Sequence, residues 1–313
     1  MRYIKELRDG EMIQETYLCK TKQSLKTKAG KSYYSLLLQD KTGTIDAKIW
    51  ELSNGIDHFE AMDYIKVDAQ VVLFQNSPQL NIRRVRKSSA GEYDMSDYMP
   101  TTEKNVEAMC RQLNDYIASI EEPHLKQLLE KFFVEDTAFL KTFINHSAAK
   151  TVHHSFMGGL LEHTLSVAEN ANYMAEHYTY LNRDLLVSAA ILHDIGKTRE
   201  LSAFPENDYT DDGQFLGHIY MGTEMISDKI REISGFPVIL AGELKHCILS
   251  HHGELEYGSP KKPAIAEAVA LNLADNMDAK LQTLLEVLKG GEEKAEWLGY
   301  NRLFESNIRR TTI

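Results

Sequence analysis

The stretch SAAILHDIGKTREL, residues 188–201, sets His193 and Asp194 side by side in an apolar run. A buried charge must be paired, hydrogen-bonded or bound to a metal. Successive residues of a helix point about 100° apart, so the two side chains cannot share one face. They reach a common point at a helix end, where Gly196 is expected to let the chain turn and Lys197 follows as a mobile cation. Further donors recur in the same half of the chain, each in a helical, largely apolar context. His163 shares a stripe with Leu160 and Val167 in GGLLEHTLSVAENANYMAEHY. FLGHIYMG offers His218, and CILSHHGELEYG offers His251 and His252. Asp275 lies in ALNLADNMDAKLQTLL, with Asp278 near the same face. A lone histidine on an apolar stripe is ordinarily a hydrogen-bonded core residue, and twin histidines can simply flank a turn. Six or seven such residues in order are not explained by packing. The donors are nitrogen and carboxylate oxygen without thiolate, which suits Mn²⁺, Fe²⁺, Co²⁺, Zn²⁺ or Mg²⁺. His153 and His154 either line the approach to this group or cap the helix that follows.

The elements that must position these donors read as helices throughout residues 101–313. TTEKNVEAMCRQLNDYIASI and HLKQLLEKFFVEDTAFLKTFINH are amphipathic, with Thr101 or Thr102 as a cap for the first. Residues 1–88 differ. KSYYSLLLQD, TIDAKIWEL, DYIKVDAQVVLF and QLNIRRVRK are short runs rich in β-branched and aromatic residues. ETYLCKTKQSLKTKAGKSYY reads as two strands joined by a lysine-rich loop, and DKTG as a hairpin turn. SNGIDHFEAM is expected to form a short helix between the third and fourth of five strands. The fold class expected is therefore multi-domain β + α. An OB-fold-like five-stranded barrel spans 1–88, a polar linker 89–100, and an all-α domain 101–313 with its core at 150–280.

Such barrels often carry single-stranded nucleic acid on one face. In TIDAKIW, Ile45, Ala47 and Ile49 share one face, and Asp46, Lys48 and Trp50 the other. Trp50 beside Lys48 is a candidate stacking platform; the alternative is a tryptophan packed under a loop. Tyr33, Tyr34, Arg83, Arg84 and Arg86 are further candidates, because phosphates need charge and unstacked bases need a flat partner.

Charge supports two different jobs. The formal charge is -11, yet residues 1–90 carry 15 Lys and Arg against 11 Asp and Glu, a net of +4. The remainder carries a net of -15, and only His58 of the 12 histidines precedes His124. No apolar run approaches the roughly 20 residues that span a bilayer, and MRYIKELRDGEM lacks a signal-peptide core. Cys19, Cys110 and Cys247 are widely spaced, which argues against a disulfide frame or a thiolate zinc site. A cytoplasmic protein without membrane partners is expected.

The order His163, His193-Asp194, His218, His251, Asp275 resembles that of the HD-domain metal-dependent phosphohydrolases. LLEHTLSV and LHDIGK are similar to that family's two most recognisable segments, over about 150–280. HHSFMGGLLEHTLSV, SHHGELEYGSP and ADNMDAK, behind an OB-like front, resemble the YhaM type of 3′-to-5′ exoribonuclease over nearly the whole chain. The resemblance implies one metal on His163, His193, Asp194 and Asp275. It also implies a second, bridged by Asp194 and held by His218 with His251, His252 or both; His251 is favoured. Two divalent ions per chain are thus expected, with Mn²⁺ the first choice and Co, Fe, Mg or Zn the alternatives. Asp194 and Lys197 are the expected catalytic residues, with Lys197 pairing with a phosphate oxygen or else serving as a helix C-terminal cation. Asp278 and His154 are the supporting ones, Asp278 being otherwise simply solvated. The implied substrate is single-stranded RNA, with single-stranded DNA a second, and assembly with identical copies is expected. Competing readings are an HD-type nucleotide or cyclic-nucleotide phosphohydrolase and a non-catalytic single-strand binder. The tail YNRLFESNIRRTTI mixes apolar and basic residues, so that packing, assembly and RNA contact all stay open for it.

Overall fold

Period-two burial builds the first hundred residues. In the computed structural model, which describes residues 1–52, 55–75, 77–150, 154–290 and 296–312, five strands close into a barrel. They are β1 (Met12–Lys26), β2 (Ser32–Asp40), β3 (Gly43–Ile49), β4 (Tyr64–Phe74) and β5 (Ser77–Lys87), in the order β1-β2-β3-β5-β4. All neighbours are antiparallel except β3 and β5, and β1 closes the barrel on β4. This is the order of an OB-type Greek-key barrel. Asp40 pairs with Gly43, so DKTG is the expected two-residue turn. Ile45, Ala47 and Ile49 point into a core shared with Leu36, Leu38, Val67, Val71 and Leu80.

Two details of this region differ from expectation. The helix expected in SNGIDHFEAM is absent among the described residues: Ile56 bridges to Val85 and Phe59 is buried in a loop. The Ile56 bridge and the Phe59 burial tie down a run too short to nucleate a helix by itself. Residues 89–100 fall in the compact unit Met1–Thr101. They pack on the barrel through a Tyr64–Tyr93 stack at 3.9 Å and buried Tyr98 and Met99.

The second unit, Thr102–Ile313, is helical. It runs α1 (Val106–Ser119), α2 (Pro123–Glu130), a π turn (Lys131–Glu135), α3 (Thr137–Asn145), α4 (Gly159–His177), α5 (Arg183–Leu192) and α6 (Lys197–Glu200). α7 (Asp211–Arg231), α8 (Val238–Ser250) and α9 (Ala266–Gly290) follow. Asn105, not either threonine, caps α1 by accepting from the Ala108 amide, while Thr102 donates to Glu162. The second amphipathic run is broken after the π turn, where the Asp136 carboxylate caps α3. To the expected helices the structure adds a C-terminal hairpin, β6 (Trp297–Asn301) and β7 (Ser306–Arg309). Among the described residues no helix is long and apolar enough to cross a membrane.

α5 is the pivot. Every residue from Leu185 to Leu192 is buried, as a helix apolar on all sides must be. It packs against α4, α8 and α9, and small Ala168, Ala171, Ala189, Ala190 and Ala274 lie in the shared core. Truncating Leu186 or Ile191 to alanine would cost about 2–5 kcal/mol. Gly196 is not the expected hinge: its backbone is right-handed helical (φ -62). Glycine is required there because a Cβ would sit 2.0 Å from the His218 carbonyl oxygen. The left-handed residue is Gly217 (φ 72), which kinks α7 immediately before His218.

Candidate metal centre

α5 ends by delivering His193 and Asp194 into the middle of the helical unit, both completely buried. α4 brings His163 and α9 brings Asp275. His163 Nε2 lies 3.2 Å from His193 Nε2, 3.4 Å from Asp194 Oδ2 and 3.3 Å from Asp275 Oδ1. The kinked α7 supplies His218, and the end of α8 supplies His251 and His252. The other Asp194 oxygen, Oδ1, faces this second group, 3.5 Å from His218 Nε2 and 3.7 Å from His251 Nε2. One ligating atom from each of His163, His193 and Asp275 falls within a 4.8 Å cluster, and likewise for His218, His251 and His252. One carboxylate thus faces two clusters, one oxygen to each.

Each imidazole is fixed through its other nitrogen. Nδ1 of His193 donates to the Ala190 carbonyl, of His251 to Ile248, and of His252 to Tyr257. His218 Nδ1 donates to Glu200 Oε1 at 2.9 Å, and the same oxygen accepts the His218 amide at 3.0 Å, an amide freed by the Gly217 kink. His163 Nδ1 donates to Asp278 Oδ2 at 2.6 Å. With Nδ1 protonated, Nε2 carries a lone pair directed at the cluster, the arrangement that orients metal-binding histidines. Asp278 also accepts from His154 Nε2 at 3.0 Å and from the Ser166 hydroxyl. His154, His163 and Asp278 also satisfy the spacing of a metal cluster. Contacts this short hold protons rather than an ion, so this trio supports His163. His153 lies outside the described residues.

The buried polar balance fits a divalent ion. His218 Nε2 and His251 Nε2 are buried without a hydrogen-bond partner, and neither Asp194 oxygen accepts an aligned hydrogen bond, although Lys197 Nζ lies 2.7 Å from Oδ2. Buried orphans of this kind are rare and call for a ligand. Electrostatics agree. Burial opposes ionisation of Asp194, but Lys197 and His193 outweigh it and hold the carboxyl well below 3.8. Burial likewise opposes the cation of His163, but Asp194, Asp275 and Asp278 raise its pKa well above 6.5. Burial pushes His251 well below 6.5 and lowers His252, so these imidazoles are neutral and able to ligate. Burial resists ionisation of Glu200, yet its bonds from His218 keep the pKa below 4.5.

The clusters open on a cleft of about 610 Å³, lined by His163, Asp194, Lys197, His218, His252 and Asp275. Lys150, Lys280, Tyr209 and Tyr257 complete its polar and aromatic walls. Sequence reading missed these four, as well as Glu200 and Ser166. Glu200 carried a signal, being an acid three residues beyond Lys197 next to the apolar Leu201. The others are common surface types whose convergence needs the fold.

On the barrel, Trp50 is exposed and stacks on Tyr33 at 4.6 Å. Its Nε1 donates to Asn81 at 2.7 Å, and Lys48 Nζ donates to Ser35 at 2.6 Å. Asn81 pairs across the sheet with Lys48 on one side and Gln70 on the other, and Arg83 donates to Gln70. Tyr33, Lys48, Trp50 and Arg83 therefore share one continuous face. Arg84 is the register partner of Asp68; it lines one recess together with Arg83 and another with Lys66 and Arg86. Arg86 is engaged by Glu92, and Tyr34 packs against the core.

Comparison with known proteins adds relatives. The profile of the HD domain family matches residues 160–280. A protein named 3′-5′ exoribonuclease YhaM from Geobacillus sp. (strain WCH70) is 34% identical over 290 residues, covering 90% of this chain and 88% of that protein. Proteins of the same name are 33% identical in Listeria monocytogenes serotype 4b (95% and 97% covered) and 34% in Bacillus subtilis (90% of each). Among solved structures, the second OB-fold domain of replication protein A from Methanococcus maripaludis matches 30% of this chain and 96% of that one. Its identity is 18% and its TM-score 0.23. The strand order, rather than this likeness, carries the description of the barrel.

Proposed function

The chain belongs to the YhaM family of 3′-5′ exoribonucleases, and on that premise we propose that it is a metal-dependent enzyme that shortens single-stranded RNA from the 3′ end. Residues His163, His193, Asp194 and Asp275 hold one divalent ion, and Asp194, His218, His251 and His252 a second. Mn²⁺ is the first candidate. The single observation that carries this reading is Asp194, fully buried, with one oxygen toward each histidine cluster. Bound ions would lower the pKa of a water and neutralise charge on the phosphoryl oxygens.

The chain's own groups do the rest. Glu200 and Asp278 fix the rings of His218 and His163. Lys197 lines the cleft and keeps its charge: burial alone would lower its pKa, but Asp194 raises it. It is placed to donate to a phosphoryl oxygen as charge builds there. Water adds to phosphorus, the bond to the 3′ oxygen of the preceding nucleotide breaks, and that oxygen takes a proton. The products are a nucleoside 5′-monophosphate and a strand one residue shorter. Tyr33, Lys48, Trp50 and Arg83 bind the strand through stacking and phosphate contacts, which gives little base preference.

The test uses 5′-labelled single-stranded RNA with Mn²⁺ or EDTA. A descending ladder in Mn²⁺ alone is expected. Intact RNA with hydrolysed mononucleotide would point to a small-molecule phosphohydrolase. A shifted band without product would point to a non-catalytic binder.

A further inference from the structure

The C-terminal hairpin takes no part in the metal centre, yet its construction is specific. The register sets Trp297 opposite Arg309 and Tyr300 opposite Asn307, with an irregularity after Trp297. Cross-strand partners point the same way and Asn307 and Arg309 are two apart, so these four side chains share one face. All are exposed, Trp297 at 60% and Tyr300 at 63%. Leu298 and Ile308 are half-buried. The Arg309 guanidinium lies 5.8 Å from the centroid of the Trp297 ring and also bonds Glu296. Arg310 fastens the hairpin to the end of α9 by donating to the Leu288 carbonyl at 2.5 Å.

The turn of the hairpin reaches the catalytic cleft, since Leu303 lines it together with Asp194, Lys197 and Lys280. A strand rises roughly 3.3 Å per residue, so Trp297 stands about 13 Å of strand back from Asn301, where the turn begins. Two exposed aromatic rings and a guanidinium on one flat face are the elements of sequence-tolerant single-strand recognition. Continuity with the cleft favours the polymer whose end occupies that cleft over a second copy of the chain. We propose that the face formed by Trp297, Tyr300, Asn307 and Arg309 is a second single-strand contact surface, which stacks the RNA bases behind the 3′ end held in the cleft. The proposal rests on the exoribonuclease reading.

The chain has two tryptophans, Trp50 and Trp297, so Trp50→Phe leaves Trp297 as the sole indole. Titrating that variant with a twelve-nucleotide oligouridylate in EDTA should quench Trp297 emission saturably. Trp297→Ala should raise KM for the same RNA about tenfold, in line with the loss of one stacked base. Trp297→Phe should restore most of it. Unchanged Trp297 emission at RNA concentrations that saturate binding by fluorescence anisotropy would overturn the proposal. So would emission that changes on protein dilution but not on RNA addition, which would assign the face to contact between copies. The emission and anisotropy readouts need no turnover. Intact RNA from the wild-type protein in Mn²⁺ would instead sink the exoribonuclease reading by itself.

Discussion

The candidate metal centre and the barrel face are built on opposite terms. In the helical unit each cluster histidine is held at both ends, with Nδ1 on a fixed acceptor and Nε2 on the cluster, in a region where Asp194 is 1% exposed. On the barrel, Trp50 is 42% exposed and is held by one stacked ring and one hydrogen bond. Rigid, dry placement suits charge stabilisation, which loses strength with small displacements. Exposed, lightly held rings suit a ligand that must be gripped and released at every step.

The contrast is sharpest at Asp194. Asp194→Ala removes the oxygens shared by the two clusters and should lower kcat roughly 10³-fold or more. RNA affinity, measured by anisotropy in EDTA, should stay within about twofold of wild type because the barrel is untouched. Degradation at the wild-type rate would break the comparison. The next effect lies one bond further out. Glu200→Gln and Asp278→Asn should each reduce metal affinity or turnover about 10–100-fold, read by metal titration, because they orient His218 and His163 without reaching an ion. Trp50→Ala should weaken binding of a long strand about tenfold and slow hydrolysis of a dinucleotide much less. Equal effects on both would remove the division of labour.

The smallest effect is on stability. In metal-free protein the folded pKa of His163 is raised above 6.5 by three carboxylates. Its stabilising contribution is therefore full below about pH 6.5 and is lost as pH rises through the folded value. A bound ion would replace that proton, so the Tm gap between Mn²⁺-loaded and EDTA-treated protein should widen by a few degrees from pH 6.5 to 9. A gap that narrows over this range would contradict the role given to His163.

The same contrast governs what could be read from residues alone. His163, His193, Asp194 and Asp275 were visible because polar groups in apolar helices conflict with their surroundings. The barrel strands were visible through alternation, as in Ile45, Ala47 and Ile49. Lys150, Lys280, Tyr209 and Tyr257 were not, since exposed lysine and tyrosine are ordinary and only the fold draws them to one cleft. The role of Gly196 was misread for a related reason. A glycine before a helix suggests a turn, while here its missing side chain admits the His218 carbonyl of a helix distant in sequence. The hairpin at 297–309 was hidden because its short strands lack alternation and its partner residues meet only in register.

Metal stoichiometry measured by elemental analysis of purified protein, wild type beside Asp194→Ala, tests the central claim most directly. The geometry around Asp194 predicts two divalent ions per wild-type chain and loss of at least one in the variant. A single ion in the wild type, or an unchanged content after Asp194 is removed, would contradict it.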